Sequence, residues 1–144
     1  DVTSQVRFGE KVYSPVIEKG GADLIVAFEK MEALRNLVYL KKDGICVVND
    51  YKIPSMPILM GDREYPEDAI GEIESHVETK VVNAHEIAEA LGNGKVMNMV
   101  LLGTAISLLD LGNIDWEKII RESVKKDFVD INIKAVKSGM DAVR

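Results

Sequence analysis

The longest regular pattern in the chain lies between residues 22 and 49 and predicts a strand, a helix and a second strand. Residues 24–28 and 45–48 are short continuous apolar runs, which are typical of parallel strands covered on both faces. Between these runs, apolar residues recur at helical spacing: Phe28, Met31, Leu34, Leu37 and Val38. Lys41 and Gly44 fit the end of that helix, because cations and glycine favour helix C-termini. We therefore predict a βαβ unit whose two strands are parallel neighbours.

Shorter patterns on either side extend this unit into a larger fold. Residues 2–14 have an extended, alternating pattern, which predicts a β-hairpin. Proline and acidic residues at 65–68 predict a helix start, and residues 80–83 predict a third strand. Asn83 is the expected cap of the next helix, with Glu86 as its capping-box partner. Together these elements predict a three-layer α/β/α fold with a mostly parallel, Rossmann-like sheet and the hairpin at one side.

The last third of the chain is predicted to be helical. Residues 96–111 are apolar almost all round, so this helix should be buried on more than one side. Two explanations stay open: the helix crosses the centre of the core, or another chain covers its outer face. Asp115 fits the N-cap of an amphipathic helix over residues 116–124, and a last helix is expected over residues 127–140.

Composition narrows the class of protein. A chain of 144 residues with 47% hydrophobic side chains is predicted to form one domain with a substantial core. Its net charge of −6 argues against nucleic-acid binding and against a basic membrane-binding surface. The longest apolar run is shorter than the roughly 20 residues that span a bilayer, so we expect a soluble, cytoplasmic protein.

The cysteine and histidine content limits metal chemistry. The single cysteine, Cys46, lies inside an apolar strand and is expected to be a buried core thiol. One cysteine excludes a disulfide, a four-cysteine zinc site and a cysteine-ligated iron–sulfur cluster within this chain. His76 and His85 lack metal-ligand spacing and are expected to be surface or helix-terminal residues. We therefore predict no metal site in these residues.

The candidate ligand site is defined by position, because the sequence carries no GxSxG elbow, no Walker loop and no HExxH motif. In an open parallel sheet, ligands bind beyond the carboxyl ends of the strands. The candidates there are Glu29, Asn49, Asp50, Asn83 and, at the start of the buried helix, Asn98. The alternative is that these asparagines act as caps and turn residues.

Several stretches together resemble one protein family. They read SQVRFGEKVYSPVI, GGADLIVAFEKMEALRNLVYLKKDGICVVN, VVNAHEIAEALGN and NMVLLGTAISLL. The chain resembles the gamma-type subunit of 2-oxoacid:ferredoxin oxidoreductases, most closely the beta subunit of indolepyruvate:ferredoxin oxidoreductase. Members of that family begin with a strand, a GxGGQG-type turn and a helix, whereas this chain begins at Asp1. The resemblance implies a single gamma-type domain over residues 1–144 that lacks its N-terminal βα unit.

The resemblance also implies a role inside a larger enzyme. That enzyme would depend on thiamine diphosphate and iron–sulfur clusters, and it would oxidatively decarboxylate a 2-oxoacid, such as indolepyruvate or another aryl pyruvate, to the acyl-CoA. This chain would be a non-catalytic component that is inactive alone and holds no cofactor. Thiamine diphosphate, Mg and the clusters would belong to a large partner subunit, which passes electrons to ferredoxin.

Two surfaces of the chain would then have functions. The surface expected to contact coenzyme A or the partner comprises Glu29, Asn49, Asn83 and Asn98. The surface expected to face the partner subunit comprises Arg7, Tyr13, Ser14 and Pro15. Exposed Arg and Tyr are typical interface anchors. The alternative to a subunit is a free-standing Rossmann-like module that binds a nucleotide or a coenzyme A derivative.

Overall fold

A parallel β-sheet forms the middle layer of the computed structural model, which describes residues 2–51, 60–61 and 67–144. Its strands within the described residues are β1 (Ala22–Ala27), β2 (Leu40–Asn49) and β3 (Glu78–Val82). β2 lies between the other two and is parallel to both. Leu24 of β1 lies opposite Ile45 of β2, so the predicted pairing of the two apolar runs is confirmed.

Helices cover both faces of this sheet. They are α1 (Lys30–Asn36), α2 (Ala69–His76), α3 (Ala84–Ala90), α4 (Met97–Leu108), α5 (Trp116–Ser123) and α6 (Val129–Ala142). Short 3₁₀ turns at Leu37–Tyr39, Gly94–Val96 and Lys126–Phe128 lead into β2, α4 and α6. The predicted three-layer α/β/α fold is therefore confirmed.

The alternating side chains of β2 explain why its sequence is a continuous apolar run. Val47 packs with α3, α4 and α6 on one face of the sheet. Cys46 and Val48 pack with α1 and α2 on the other face. All three side chains are fully buried, as expected of a central parallel strand with helices on both sides.

The predicted hairpin over residues 2–14 is wrong, because residues 2–20 contain no strand. We call residues 2–17 the N-terminal arm. Hydrogen bonds that involve side chains, and not backbone hydrogen bonds between two strands, hold the arm together. The backbone N–H of Ile17 donates to Oε1 of Gln5 at 2.8 Å, and Nη1 of Arg7 donates to the carbonyl of Val16 at 3.0 Å. The alternation predicted an extended backbone, but the apolar side chains that would form a hairpin face remain exposed.

The helix of the βαβ unit ends earlier than predicted, because β2 begins at Leu40. Lys41 and Gly44 consequently lie within the strand. Nζ of Lys41 pairs with Oδ1 of Asp23 across the two strands at 2.7 Å. A Cβ on Gly44 would lie 2.8 Å from Cγ of Leu40 and 3.2 Å from the carbonyl oxygen of Ala22, so glycine here permits close packing. The prediction that Lys41 and Gly44 mark the end of the helix is therefore wrong.

Two residues predicted to face inward from this helix are largely exposed. Phe28 precedes α1 and is 44% exposed, while Val38 lies in the 3₁₀ turn after it and is 51% exposed. The fully buried residue of α1 is Ala33. The short helix presents a narrower face to the sheet than the sequence pattern suggested.

Helix α4 is buried by elements of this chain. Its buried residues are Val100, Leu101, Gly103, Thr104 and Ile106. Gly103 lies against the backbone of α6 at Val136, and Gly139 of α6 lies against the backbone of α4 at Val100. A Cβ on either glycine would overlap the opposite helix. This burial supports the interpretation that α4 crosses the centre of the core, and Leu102 on its outer side is 45% exposed.

The predicted helix start near residue 68 and the predicted N-cap at Asp115 are confirmed, and Asp68 also acts as an N-cap. Oδ1 of Asp68 accepts from the backbone N–H of Gly71 at 3.0 Å at the start of α2. Oδ1 of Asp115 accepts from the backbone N–H of Lys118 at 3.2 Å at the start of α5. Tyr65 and Pro66, which were part of the predicted start of α2, lie outside the described residues.

Candidate functional site

The candidate site is the edge of the sheet at which β1, β2 and β3 end, and we call it the strand-end edge. Glu29 follows β1, Asn49 is the last residue of β2, and Asn83 follows β3. The carboxyl ends of parallel strands lie at the same side of a sheet. The structure therefore brings these three predicted residues to one edge.

Asn49 is the centre of this edge. Its side chain is fully buried, and its Nδ2 donates to the carbonyl of Phe28 at 3.0 Å and to Sδ of Met97 at 3.2 Å. Its Oδ1 accepts from the backbone N–H of Ala84 at 2.9 Å. The direction of each bond follows from the partners, since a carbonyl can only accept and a backbone N–H can only donate. Both N–H groups and the amide oxygen of Asn49 are bonded within the chain.

Asn83 occupies the N-cap position of α3, but its side chain makes no capping hydrogen bond. Its backbone dihedrals, φ −99° and ψ 67°, lie outside the extended conformation that usually aims an N-cap side chain at the first amides of a helix. The first amide of α3, at Ala84, is bonded by Asn49 instead. The predicted side-chain cap by Asn83 is therefore wrong, and the cap comes from the neighbouring strand.

Glu29 connects the end of β1 to the start of α1. It is 5% exposed, and its extended backbone places it at the N-cap of α1. Its Oε1 accepts from the backbone N–H of Glu32 at 2.6 Å. An acceptor at this position satisfies one of the amides that a helix start leaves without an intrahelical partner.

Asn98 is the most exposed of the four predicted ligand residues. It lies in the first turn of α4, and its Oδ1 accepts from the backbone N–H of Met99 at 2.9 Å. Its neighbour Met97 contacts Asn49, so Asn98 lies beside the strand-end edge. The structure does not test ligand binding by Glu29, Asn49, Asn83 or Asn98, which stays a prediction.

The strand-end edge also contains residues that sequence reasoning missed. Nζ of Lys30 pairs with Oδ1 of Asp50 at 2.8 Å, and the backbone N–H of Lys30 donates to the carbonyl of Tyr51 at 3.3 Å. The rings of Tyr51 and His85 stack with their centroids 5.1 Å apart. Nε2 of His85 lies 3.9 Å from a carboxylate oxygen of Glu89. Position in the sequence could have identified these residues. Lys30, Tyr51 and His85 each lie one or two residues after a predicted strand-end residue.

The N-terminal arm carries the residues predicted to face a partner. Tyr13 is 90% exposed, and Pro15 is also exposed. Oγ of Ser14 accepts from the backbone N–H of Val16 at 3.1 Å, while Arg7 binds the carbonyl of Val16 and lies 3.8 Å from Glu18. Exposed apolar side chains accompany them on the arm: Val2, Val6, Phe8, Val12 and Val16. A cavity of about 580 Å³ lies between the arm and β1.

The single thiol lies away from this chemistry. Cys46 is fully buried in β2, and burial raises the pKa of its thiol from an ordinary value of 9.0 to about 11. Desolvation disfavours the thiolate, so the side chain is protonated at neutral pH. Among the residues described here, no group of three or more histidine, cysteine or acidic side chains could hold a metal ion. None of the described helices is long and apolar enough to cross a membrane.

Comparison with known proteins gives the family. The sequence profile of the pyruvate ferredoxin/flavodoxin oxidoreductase family matches residues 1–142. The chain belongs to this family. It is 37% identical over 143 residues to the indolepyruvate oxidoreductase subunit IorB of Archaeoglobus fulgidus, in an alignment that covers 96% of this chain and 71% of the relative.

Two solved structures share the fold of this family member. The gamma subunit of a keto/oxoacid ferredoxin oxidoreductase from Geobacter sulfurreducens superposes with a TM-score of 0.63 at 22% identity, covering 89% of this chain and 68% of that one. The 2-oxoglutarate:ferredoxin oxidoreductase from Magnetococcus marinus superposes with a TM-score of 0.66 at 18% identity. That match covers 93% of this chain and 21% of the other, whose structure contains 2-oxoglutarate, coenzyme A and succinyl-CoA.

Proposed function

We propose that this chain is a non-catalytic subunit of a 2-oxoacid:ferredoxin oxidoreductase. The family match over residues 1–142 carries the proposal. The A. fulgidus relative, at 37% identity, is named as an indolepyruvate oxidoreductase subunit, which favours indolepyruvate or another aryl pyruvate as the substrate of the complex. The complex would oxidatively decarboxylate the 2-oxoacid to its acyl-CoA and pass electrons to ferredoxin.

The chemistry of this chain favours a supporting role. Decarboxylation of a 2-oxoacid needs a cofactor that stabilises a carbanion, and electron transfer to ferredoxin needs a redox centre. A four-cysteine cluster cannot form on one cysteine, and the buried thiol of Cys46 is protonated at neutral pH. Thiamine diphosphate, Mg and the clusters therefore belong to a large partner subunit in this proposal.

The strand-end edge is the proposed contact with coenzyme A or with the partner beside it. Half-buried Lys30 and His85 present N–H groups there, and Asn83 adds a half-buried amide. Such groups suit the phosphate and amide oxygens of coenzyme A. Glu29 and Asn49 form the floor of this edge, and Asn98 lies beside it. Coenzyme A in the M. marinus structure makes it the first ligand to test.

The N-terminal arm is the proposed contact with the large subunit. It exposes Tyr13 and several apolar side chains, and Arg7 lies among them. Aromatic residues and Arg are enriched at the centres of protein interfaces. We place Arg7, Tyr13, Ser14 and Pro15 in that interface.

Purification of the protein from its native source tests the subunit role. We expect a larger chain to elute with it in constant ratio, and that chain to contain thiamine diphosphate and iron. Elution of the protein free of such a chain would contradict the proposal. It would favour the second candidate, a free-standing Rossmann-like module for a nucleotide or coenzyme A derivative, which the open parallel sheet with polar strand ends also fits.

A further inference from the structure

The geometry points to Asn49 as a positioning residue that holds the strand-end edge in its binding shape, and not as a ligand contact. This inference rests on the proposed function where it names coenzyme A as the ligand. Asn49 has no exposed surface, so a ligand at the edge meets the residues around it. Those residues lie in three separate connections of the fold, and each connection contains one residue that is hydrogen-bonded to the Asn49 side chain.

The first bond fixes the turn that follows β1. Nδ2 of Asn49 donates to the carbonyl of Phe28, the residue immediately before Glu29 and Lys30. Lys30 is held in turn by Asp50 at 2.8 Å and by the carbonyl of Tyr51 at 3.3 Å. The position of the Lys30 ammonium at the edge therefore depends on a turn that Asn49 anchors.

The other two bonds fix the starts of α3 and α4. Oδ1 of Asn49 accepts from the amide of Ala84, the residue between Asn83 and His85. Nδ2 also donates to Sδ of Met97, the residue before Asn98. One buried amide thus links the ends of β1 and β2 to the starts of the two helices that carry His85 and Asn98.

An amide is the side chain that these partners require. The edge presents one N–H donor, at Ala84, and two acceptors, at Phe28 and Met97, and an asparagine supplies one acceptor and two donors. A carboxylate of the same shape would keep the acceptor for Ala84, but it would place its other oxygen against both acceptors and bury a charge. Asn49→Asp therefore changes the polarity of the link with almost no change in volume.

Three variants in the assembled oxidoreductase test this role. Asn49→Asp removes both donors, and Met97→Leu removes one acceptor at similar volume. Val47→Ala is the matched control, because Val47 is equally buried on the same strand and face but packs among apolar side chains. The readouts are the KM for coenzyme A, the kcat at saturating coenzyme A, and the hydrogen-exchange rate of the Lys30 amide, which donates to the carbonyl of Tyr51 in the turn that Asn49 anchors.

We expect Asn49→Asp to raise the KM for coenzyme A about tenfold or more, because a displaced binding group weakens ligand contacts. The kcat should change less than about twofold, since the chemistry lies elsewhere. Exchange at the Lys30 amide should accelerate about tenfold, because the turn that contains it loses its hydrogen bond to the Asn49 side chain. Met97→Leu should raise the KM a few fold, and Val47→Ala should leave it within about twofold despite lower stability.

Two results would overturn the positioning role. One is a rise in KM for Val47→Ala as large as that for the Asn49 and Met97 variants. Asn49 would then contribute only to the stability of the fold, as Val47 does. The other is unchanged exchange at the Lys30 amide in a folded Asn49→Asp protein. If Asn49→Asp does not fold, Met97→Leu gives the answer through the KM for coenzyme A and the kcat. If the complex is active and none of these variants changes its KM for coenzyme A, the proposed contact at the strand-end edge is contradicted. The proposed function itself is contradicted by a different result, purification of the native protein without a larger chain.

Discussion

At the scale of single residues, Cys46 and Asn49 show two outcomes of full burial on the same strand. Cys46 has an ionisable side chain among apolar neighbours, so burial favours its neutral form. Asn49 is a polar side chain whose hydrogen-bonding groups all have partners, which removes the cost of desolvating it. The Cys46 thiol therefore stays protonated at neutral pH. The Asn49 side chain links the connections that form the strand-end edge.

The thiol of Cys46 should be unreactive in the native protein. A thiol reagent at pH 7 should modify it slowly in buffer and rapidly in denaturant, because the reactive species is the exposed thiolate. The folded pKa of about 11 exceeds the ordinary value of 9.0, so the contribution to stability is complete below pH 9 and is lost as pH rises towards 11. Urea unfolding from pH 8 to pH 11 measures this loss, and Cys46→Ala should show a smaller one. Equal pH dependence in both proteins would contradict the burial account.

Sequence reasoning found the residues at the strand ends but not the bonds between them. Glu29, Asn49 and Asn83 could be located because each follows a recognisable apolar run. The partners of Asn49 could not be predicted, since Ala84 and Met97 lie 35 and 48 residues further along the chain. Asn83 fitted an N-cap by local pattern, yet a side chain from another strand took that role.

At the scale of elements, the sheet was predictable and the N-terminal arm was not. The apolar runs of β1 and β2 identify buried parallel strands because helices cover both faces. Residues 2–14 have the alternation of a strand, but alternation specifies a hairpin only where one face packs on a core. Val2, Val6 and Phe8 do not pack on a core in the part of the chain that the structure describes, where they are 97%, 74% and 63% exposed.

The contact between α4 and α6 should depend on its two glycines. Gly103→Ala and Gly139→Ala should each lower the free energy of unfolding by about 1–3 kcal/mol or more, because the new methyl group overlaps the backbone of the facing helix. Gly112→Ala is the control, since its Cβ would meet its nearest neighbour, Cε of Met140, at 3.9 Å. Urea denaturation compares the three variants. If Gly112→Ala lowers the free energy of unfolding as much as Gly103→Ala does, the account of close packing between α4 and α6 is contradicted.

The N-terminal arm should contribute to assembly more than to folding. Arg7→Ala with Tyr13→Ala should weaken binding to the large subunit at least about tenfold, as expected for interface anchors. The free energy of unfolding of the isolated chain should change by less than about 1 kcal/mol, because both side chains are exposed. Ile119→Ala is a matched control on the exposed side of α5. Sedimentation of the complex measures the effect, and unchanged binding by the double variant would contradict this interface.

At the scale of the whole molecule, the chain belongs to an oxidoreductase family, and Glu29 and Asn49 at its strand-end edge form hydrogen bonds within the chain. Glu29 accepts from the start of α1 and Asn49 from the start of α3, and the buried thiol of Cys46 is protonated at neutral pH because burial raises its pKa to about 11. The family match covers residues 1–142, and in the M. marinus structure the corresponding fold is 21% of a longer chain. These observations agree with a component that completes an enzyme built largely from other polypeptide.

Reconstitution of activity tests this account most directly. The measurement is coenzyme A-dependent reduction of a viologen dye with indolepyruvate, by this protein alone, by the large subunit alone, and by the two together. The account predicts reduction by the mixture, no reduction by this protein alone with or without added thiamine diphosphate, and low activity of the large subunit alone. Dye reduction by this protein alone, or full activity of the large subunit without it, would contradict the account.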